Sequence, residues 1–308
     1  MKIIGITLGD PGGIGPEVAL KAIQNLQRTH SFRAVVFGPS LLKKDPRLPR
    51  VDNVEWIDTA PEGFVLEEGC PTATNGFVAA RNIEWATQWA LEKKISGLVT
   101  APISKTSLKM ASCLAWDHTT YLQRLTHSQD VSMAFVSPSL WIVLVTVHIP
   151  YQEVPKHLHA AAITRAISHA HFLGSYRTSI PRIAVAGLNP HAGEHGLMGC
   201  EELEILTSVI QASQAKGFRV SGPHSPDTVF RAAHKGDYDV VVALYHDQGL
   251  IPVKLLHFDD AVNVTLGLPF LRTSPDHGTA FDKAYKGIAS SQSMEAAIRF
   301  ALTATIKA

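Results

Sequence analysis

Three histidines follow stretches that are typical of buried strands. The stretches and their histidines are Val240–Leu244 before His246, Trp141–Val147 before His148, and Arg182–Leu188 before Asn189, Pro190 and His191. Runs of small and β-branched apolar residues predict strands buried on both faces. Open α/β sheets bind ligands outside the carboxyl ends of their strands, and imidazoles that converge there can hold a divalent metal with open positions. The alternative is that each histidine is an ordinary hydrogen-bonding loop residue, which a chain with 15 histidines also permits.

A second set of polar residues follows the last of these strands. Lys254, Asn263 and Arg272 are spaced nine residues apart beyond His246. Lysine and arginine are the usual binders of phosphate and carboxylate groups. Beside a metal held by histidines, they indicate a small anionic substrate that also binds the ion. A hydrolase with a nucleophilic serine is disfavoured because the chain has no G-x-S-x-G sequence.

Composition excludes several classes of protein. The 308 residues suffice for two domains or one large one, and 45% apolar with 18% charged residues is typical of a soluble globular protein. A net charge of +1 gives no electrostatic reason to expect nucleic acid or a membrane surface as partner. No apolar run approaches the ~20 residues of a membrane span. The first residues enter a strand pattern directly, and three cysteines without C-x-x-C spacing suit reduced thiols. We therefore expect a cytoplasmic protein without a signal peptide.

The first element pair is a strand, a glycine-rich turn and a helix. Ile3–Leu8 predicts the strand and Val18–Leu26 the helix, with GDPGGIGPE between them and Pro16 suited to the first helical position. The dinucleotide pattern G-x-G-x-x-G fails because it needs glycine where Val18 stands, and the Gly-Lys-Ser/Thr of a phosphate loop is absent. Either the turn presents backbone N–H groups to a ligand, or it is a tight connection.

Strand and helix patterns alternate along the remaining chain, which predicts the α/β class. The predicted helices are Asn75–Lys94, 117–125, Ala160–Leu173, Glu201–Lys216, Pro226–Lys235 and Met294–Thr303, the last capped by Ser293. The predicted strands are Phe32–Phe37, Gly97–Thr100, Val131–Ser137, Leu140–Val147, Val253–Leu256 and Ala261–Leu266. Residues 46–69 are expected to be irregular, and Leu271–Ala280 to be a polar loop that opens a helix. Lys105 either contacts an anionic substrate or is solvated.

An ordered series of motifs resembles one known family. The motifs are GDPGGIGPE, VTAPISK, DHTTYL, VHIP, LNPHAGE, SPDT, YHDQGLIPVK and VNVTLGLPFLRTSPDHGTA. Together they cover nearly the whole chain and resemble the 4-hydroxythreonine-4-phosphate dehydrogenases of pyridoxal phosphate biosynthesis. The first motif is also similar to the GDGIGPE of isocitrate and isopropylmalate dehydrogenases. The resemblance implies their two-domain α/β/α fold with the active site in the interdomain cleft.

The resemblance also implies boundaries and site residues. It implies a cofactor-side domain of residues 1–125 plus 273–308, and a metal, substrate and dimerisation domain of residues 126–272. By matching motifs, the metal ligands are His148, His191 and His246, and the substrate-binding residues are His118, Thr119, Lys254, Asn263 and Arg272. The cofactor-binding residues are Asp276, His277, Gly278, Thr279 and Ala280, and the catalytic residues are His118, Lys254 and Asp247. Family members are homodimers whose active site lies at the subunit interface, with one metal histidine supplied by the partner chain.

The implied reaction is oxidation of 4-phosphohydroxy-L-threonine at its C3 hydroxyl, followed by decarboxylation to 3-amino-2-oxopropyl phosphate. NAD would accept the hydride, with NADP as the alternative, and a divalent metal (zinc, cobalt or magnesium) would lower the pKa of that hydroxyl. Lys254, Arg272 and Asn263 would anchor the phosphate.

Two stretches depart from the family's pattern and keep other functions open. Asp117-His118-Thr119-Thr120 stands where the family usually has Gly-His-Thr-Glu or Gly-His-Thr-Asp, and Glu194–Leu197 replaces a run of glycine and histidine. A nearby Asp117 would raise the pKa of His118. One alternative is a dehydrogenase of the same family that acts on D-erythronate 4-phosphate, D-threonate 4-phosphate or another dihydroxy acid. A non-catalytic protein that binds a metal and an anion is the other.

Overall fold

The computed structural model describes residues 1–113 and 115–304. Its strands are β1 (Ile3–Thr7), β2 (Arg33–Phe37), β3 (Val54–Ile57), β4 (Gly97–Thr100), β5 (Ser132–Val136), β6 (Trp141–Leu144), β7 (Ile183–Ala186), β8 (Val220–His224), β9 (Val240–Ala243), β10 (Val262–Leu266) and β11 (Arg272–Pro275). Its α-helices are α1 (Gly15–Gln27), α2 (Ala73–Leu91), α3 (Lys105–Met110), α4 (His118–Thr126), α5 (Val154–His157), α6 (Ala160–Gly174), α7 (Thr207–Ala215), α8 (Val229–His234), α9 (His246–Leu256) and α10 (Gln292–Thr303).

The chain forms two compact units, and both are mixed α/β structures. The first comprises Met1–Val131 and Val262–Thr303, and its strands lie in the order β3-β2-β1-β4-β11-β10. The second is built from Ser132–Ala261 with the order β5-β6-β9-β7-β8. Neighbouring strands are parallel except in the pairs β10–β11 and β5–β6. The α/β class predicted from alternating patterns is confirmed.

The strands at the centre of each unit are buried along their whole length. All four residues of β9 and all four of β4 are fully buried, as expected for short runs of small and β-branched residues in parallel sheets. In the second unit these strands pack with apolar residues of α8 and α9, among them Phe230, Leu250 and Val253. Removal of this apolar surface from water stabilises each sheet.

Helix α9 corrects one sequence prediction. The sequence predicts Val253–Leu256 to be extended, but it forms the end of the helix that begins at His246, although Ile251, Pro252 and Val253 are poor helix formers. Leu250 and Val253, three residues apart, are buried on one face of this helix, and that burial outweighs the local preference.

Three further differences concern element boundaries. The edge strand β3 lies within residues 46–69, which were expected to be irregular; its residues are only half-buried and gave no alternating pattern. Leu271–Ala280, which was expected to be a polar loop that opens a helix, contains strand β11. The segment directly after it is a 3-10 turn, Phe281–Lys283. Helix α10 begins at Gln292, so Ser293 lies in its first turn instead of capping it, and its hydroxyl accepts a hydrogen bond from the N–H of Asp276 (3.3 Å).

The glycine-rich turn after β1 is a tight connection. The N–H of Gly12 binds the carboxylate of Asp10 (3.0 Å), and the N–H of Ile14 binds the carbonyl of Thr279 (2.9 Å). A Cβ atom on Gly13 would lie 2.8 Å from the same carbonyl oxygen. These N–H groups are therefore used within the protein, which favours the packing role over a ligand-binding role. Among the described residues, no helix combines the length and apolar character needed to cross a membrane.

Candidate active site

Three adjacent parallel strands of the second unit each lead to one of the predicted metal ligands. β9 lies between β6 and β7, with Leu144 beside Ala243 and Val185 beside Val242. Because the three strands are parallel, their carboxyl ends lie at the same edge of the sheet. His148, His246 and His191 follow β6, β9 and β7 respectively. The strands predicted before these three histidines therefore end at one edge of the sheet.

Hydrogen bonds tie these strand ends together. The hydroxyl of Thr146 donates to the carbonyl of Leu244 (2.7 Å), which joins the segments after β6 and β9. The buried side chain of Gln248 accepts from the N–H of Leu244 (2.7 Å) and donates to the carbonyl of Gly187 (2.7 Å). Gln248 thus joins the ends of β9 and β7 and fixes the start of helix α9. Sequence analysis did not single it out, although it lies two residues after a predicted ligand.

The structure brings His148 and His246 together. Their ring centroids are 5.4 Å apart, and both rings line a pocket of about 180 Å³ that also includes Tyr151 and Tyr245. Nδ1 of His246 is hydrogen-bonded to the carboxylate of Asp247 (2.7 Å). A carboxylate on one ring nitrogen orients the imidazole and leaves the other nitrogen, here Nε2, for a metal. Asp247, one of the predicted catalytic residues, therefore contacts a predicted ligand.

His191 lies in a loop of unusual backbone conformation. His191, Ala192, Glu194 and His195 have φ angles between 41° and 56°, and Gly193 has φ 79°. The left-handed conformation costs roughly 1 to 2 kcal/mol for each residue with a side chain, so the surrounding structure must hold this loop. Within residues 1–113 and 115–304, no three histidine, cysteine, aspartate or glutamate side chains are grouped closely enough to hold a metal. Two of the predicted ligands are thus adjacent, and the third does not join them.

A buried glutamate supports the loop of His191. Glu202 is 2% exposed and accepts hydrogen bonds from the N–H groups of Leu188 and Asn189 (both 2.8 Å) and from the side chain of Asn189 (2.9 Å). Its role is not evident from the sequence, because a glutamate in a helical pattern is normally solvated. The available signal was the pair Glu201-Glu202 directly after a glycine-rich stretch.

In the first unit, Arg272 is buried without a carboxylate partner. Its side chain is 2% exposed and donates hydrogen bonds to the hydroxyls of Thr100 (2.6 Å from Nη2) and Thr265 (2.9 Å from Nη1). No ion pair links it to a described carboxylate. Burial lowers the pKa of Arg272 to about 9. The negative charge of Asp117 raises this pKa, but by less than burial lowers it. The guanidinium is therefore charged at neutral pH, and an anion would be its natural partner.

His118 lies at the start of helix α4, near this charge. Asp117 caps the helix by accepting from the N–H of Thr120 (2.9 Å). Nε2 of His118 is buried and has no hydrogen-bond partner among the described residues. Burial, and secondly the charge of Arg272, lowers the pKa of His118 well below its usual value. The expectation that Asp117 raises this pKa is wrong, because desolvation and a cation outweigh it.

The other predicted substrate residues differ in exposure. Oδ1 of Asn263 is a second buried polar atom without a partner in the described part of the chain. Thr119 is half-buried beside His118. Lys254 is exposed in the last turns of α9, and Lys105 is exposed at the start of α3, capped by Ser104. The first unit therefore offers one cation, Arg272, and two unsatisfied polar atoms as a candidate anion site.

The predicted cofactor loop packs against the glycine-rich turn. Thr279 accepts the hydrogen bond from Ile14, and the buried carboxylate of Glu17 accepts from the N–H of Ala289 (3.0 Å) further along the same loop. Nε2 of His277 is buried without a partner among the described residues, whereas Gly278 is exposed. These contacts fix the loop on both sides while leaving polar atoms for a ligand.

Comparisons with known proteins agree with one another. The profile of the family "Pyridoxal phosphate biosynthetic protein PdxA" matches residues 14–301. A 4-hydroxythreonine-4-phosphate dehydrogenase of Desulforapulum autotrophicum is 41% identical over 99% of this chain and 96% of its own. A D-threonate 4-phosphate dehydrogenase of Salmonella typhimurium is also 41% identical, over 98% of both chains.

Solved structures show the same relationship. The crystal structure of 4-hydroxythreonine-4-phosphate dehydrogenase from Klebsiella pneumoniae superposes with a TM-score of 0.88 at 40% identity, over 99% of this chain and 100% of that one. Isocitrate dehydrogenase from Methylococcus capsulatus shares the fold alone, with a TM-score of 0.50 at 15% identity over 98% of this chain and 85% of that chain. The prediction of an α/β fold of the isocitrate dehydrogenase type is confirmed.

Proposed function

The chain belongs to the family of pyridoxal phosphate biosynthetic protein PdxA, a family of oxidoreductases, and we propose that it oxidises 4-phosphohydroxy-L-threonine at the C3 hydroxyl with NAD. The oxidation gives a β-keto acid, and its decarboxylation yields 3-amino-2-oxopropyl phosphate.

The buried guanidinium of Arg272 is the observation that carries this proposal. A buried cation without a carboxylate partner is unfavourable unless a ligand supplies the negative charge. Phosphate matches the planar, multidentate donor set of arginine. Asn263 and His118 each add a buried polar atom without a partner, and Lys254 would add a second cation. We therefore assign the phosphate of the substrate to Arg272, His118, Thr119, Asn263 and Lys254.

The histidines of the second unit fit a divalent metal by their chemistry. Neutral imidazoles suit zinc and cobalt, and substrate oxygens could complete a site for magnesium. Such an ion would supply Lewis acidity that lowers the pKa of the C3 hydroxyl and polarises the ketone. Asp247 holds His246 in the orientation and tautomer that leave Nε2 for binding.

His118 is the residue of the first unit best suited to handle a proton. Burial holds its imidazole neutral at neutral pH, so one ring nitrogen can accept a proton or a hydrogen bond from the substrate. With Lys254 and Asp247 it completes the set of residues that we propose to be catalytic. The loop Asp276–Ala280 would hold NAD, or NADP, through backbone groups and His277. The interdomain location of the site stays a prediction.

We further propose that the enzyme is a homodimer whose subunits share the active site. Helix α9, which begins at His246, exposes Ile251 (66%) and Leu255 (82%), and Phe258 just beyond it is 75% exposed. An apolar face of this kind is normally covered by a partner. A second copy packed here would lie beside His246, and one of the three histidines would then come from that copy.

Mixed dimers test this arrangement. H191A and H246A would each be inactive alone, because each lacks a proposed ligand, and His191 is the histidine that lies apart from the other two. If the histidines of one site come from two chains, denaturing and refolding an equal mixture should restore up to about a quarter of wild-type activity. A mixture that stays inactive would show that each site takes both residues from one chain.

The substrate of the second candidate function is D-threonate 4-phosphate or D-erythronate 4-phosphate. Both oxygens of Asp117 already bind Thr120, through its N–H (2.9 Å) and its hydroxyl (3.0 Å). The Asp117 carboxylate is therefore held at the start of helix α4 by contacts that do not require the ammonium group that distinguishes the hydroxythreonine substrate. The enzyme that acts on D-threonate 4-phosphate in Salmonella is as similar to this chain as the hydroxythreonine enzyme is.

The deciding experiment follows the absorbance of reduced nicotinamide. Purified protein is mixed with NAD, Zn²⁺ or Co²⁺, and each of the three phosphorylated substrates, with and without a chelator. A chelator-sensitive rise with 4-phosphohydroxy-L-threonine supports the first proposal, and a rise only with the threonate or erythronate supports the second. A flat trace with all substrates and with both NAD and NADP would instead indicate a non-catalytic binding protein.

A further inference from the structure

Glu202 is a buried carboxylate that none of the proposed steps uses. Its two oxygens accept three hydrogen bonds, from the N–H groups of Leu188 and Asn189 and from the side chain of Asn189. It is also the first residue of a π-helical segment, Glu202–Leu206, that precedes helix α7. Such segments are rare and occur frequently at functional sites. The local distortion therefore coincides with the residue that reaches the loop of His191.

The same carboxylate also contacts the far side of that loop. A Cβ atom on Gly193 would lie 2.8 Å from Oε2 of Glu202, and one on Gly187 would lie 3.2 Å from Oε1. Only glycine allows the backbone to approach this closely at both positions. The carboxylate thus contacts Gly187, Leu188 and Asn189 on one side of His191 and Gly193 on the other, all within four residues of it.

We propose that Glu202 is a positioning residue for His191, acting by holding the left-handed loop in the conformation that presents the imidazole. This inference rests on the proposed metal-dependent function. Fixing Leu188 and Asn189 on one side and Gly193 on the other leaves the intervening backbone little freedom. A loop that has four left-handed residues with side chains would relax without such an anchor.

Glu201 provides a matched control. Its carboxylate binds the side chain of the same Asn189 (2.7 Å), but it is partly exposed and contacts no backbone N–H of Leu188 or Asn189. E201Q and E202Q make the same chemical change one residue apart. In E202Q, one oxygen becomes an NH₂ group that faces the donor groups of the loop, so at least one of the three bonds is lost.

The test measures Zn²⁺ affinity by competition with a chelating dye, together with hydrogen exchange of the loop in metal-free protein. E202Q should raise the Kd for Zn²⁺ about 10- to 100-fold, the usual effect of removing an outer hydrogen-bond partner, and should speed exchange at Leu188 and Asn189. E201Q should change the Kd less than about threefold. In an H191A background, E202Q should have no further effect on the Kd, because the residue through which it acts is absent.

The possible results distinguish failure of the metal-dependent function from failure of the positioning role of Glu202. If wild-type protein binds none of Zn²⁺, Co²⁺ and Mg²⁺, the metal-dependent function fails, whatever the loop does. If wild type binds Zn²⁺ but E202Q and E201Q bind it equally, the positioning role is refuted. An equal loss of affinity on adding E202Q to wild type and to H191A would also refute it, since it would show a general structural effect. Thermal denaturation of all variants separates loss of folding from loss of affinity.

Discussion

Replacing Arg272 by methionine should stabilise the ligand-free protein while weakening its binding of substrate. Burial lowers the pKa of Arg272 from its ordinary value to about 9, so the charged form is disfavoured in the folded state by about 5 kcal/mol. Removing the side chain also leaves the hydroxyls of Thr100 and Thr265 without this partner, at a cost of about 1 to 2 kcal/mol each. R272M should therefore raise the free energy of unfolding at pH 7 by roughly 1 to 3 kcal/mol.

The pH dependence has a definite sign. Between pH 9 and 12.5 the unfolded chain binds a proton at Arg272 that the folded chain does not, so this group makes wild type more stable as pH rises through that window. The advantage of R272M should then shrink above pH 9. Inorganic phosphate should raise the Tm of wild type but not of R272M, because only wild type retains the guanidinium. Loss of the anchor should raise KM by a factor of about 30 to several thousand.

The assay is thermal and urea denaturation of both proteins at pH 7 and at pH 10, with and without phosphate. R182M is the control, since Arg182 forms an ion pair with Asp239 (3.0 Å) and its removal should destabilise the protein. A lower free energy of unfolding for R272M in phosphate-free buffer at pH 7 would refute the reasoning. So would an equal increase in Tm on adding phosphate to wild type and R272M.

Two other substitutions follow from buried groups. The pKa of His118 is lowered, so between that pKa and 6.5 the unfolded chain binds a proton that the folded chain does not, and wild type loses stability on acidification. H118Q should reduce this loss by up to about 1.4 kcal/mol per pH unit. Denaturation curves at pH 7.5 and pH 5 measure the difference. Q248L should lower the free energy of unfolding by about 2 to 4 kcal/mol, because it leaves the N–H of Leu244 and the carbonyl of Gly187 without their partners. Equal stability of Q248L and wild type in urea denaturation would show that these groups find other partners.

The ends of the strands in the second unit could be predicted because each strand is a short run of apolar residues that stops at a polar residue. Runs such as Val240–Leu244 are buried on both faces, and burial of this kind leaves a clear pattern of consecutive apolar residues. The order β6-β9-β7, which places the strand before His246 between the strands before His148 and His191, cannot be read from the sequence. That order depends on how crossover helices pack, and no local pattern reports it.

Three other features could not be predicted, because they depend on contacts between residues that are far apart in the sequence. Val253–Leu256 reads as extended because propensity is local, whereas its helix is held by contacts with distant strands. The sign of the pKa shift of His118 depends first on its burial in the folded protein and secondly on Arg272, which is far away in sequence. Glu202 looked like a surface residue because burial of a carboxylate requires partners that only the folded loop supplies.

Because β9 lies between β6 and β7 but follows both along the chain, the second unit cannot assemble its sheet while only its first half has been synthesised. In the first unit, the early strands β3, β2, β1 and β4 are direct neighbours, but the sheet is completed only when β11, which carries Arg272, joins β4 from much later in the chain. Domains usually fold as units during synthesis, beginning at the amino terminus. Here most of the chain must be made before either sheet closes, so folding is expected to be late and cooperative. Truncated chains ending before residue 240 should therefore depend on chaperones and be degraded rapidly.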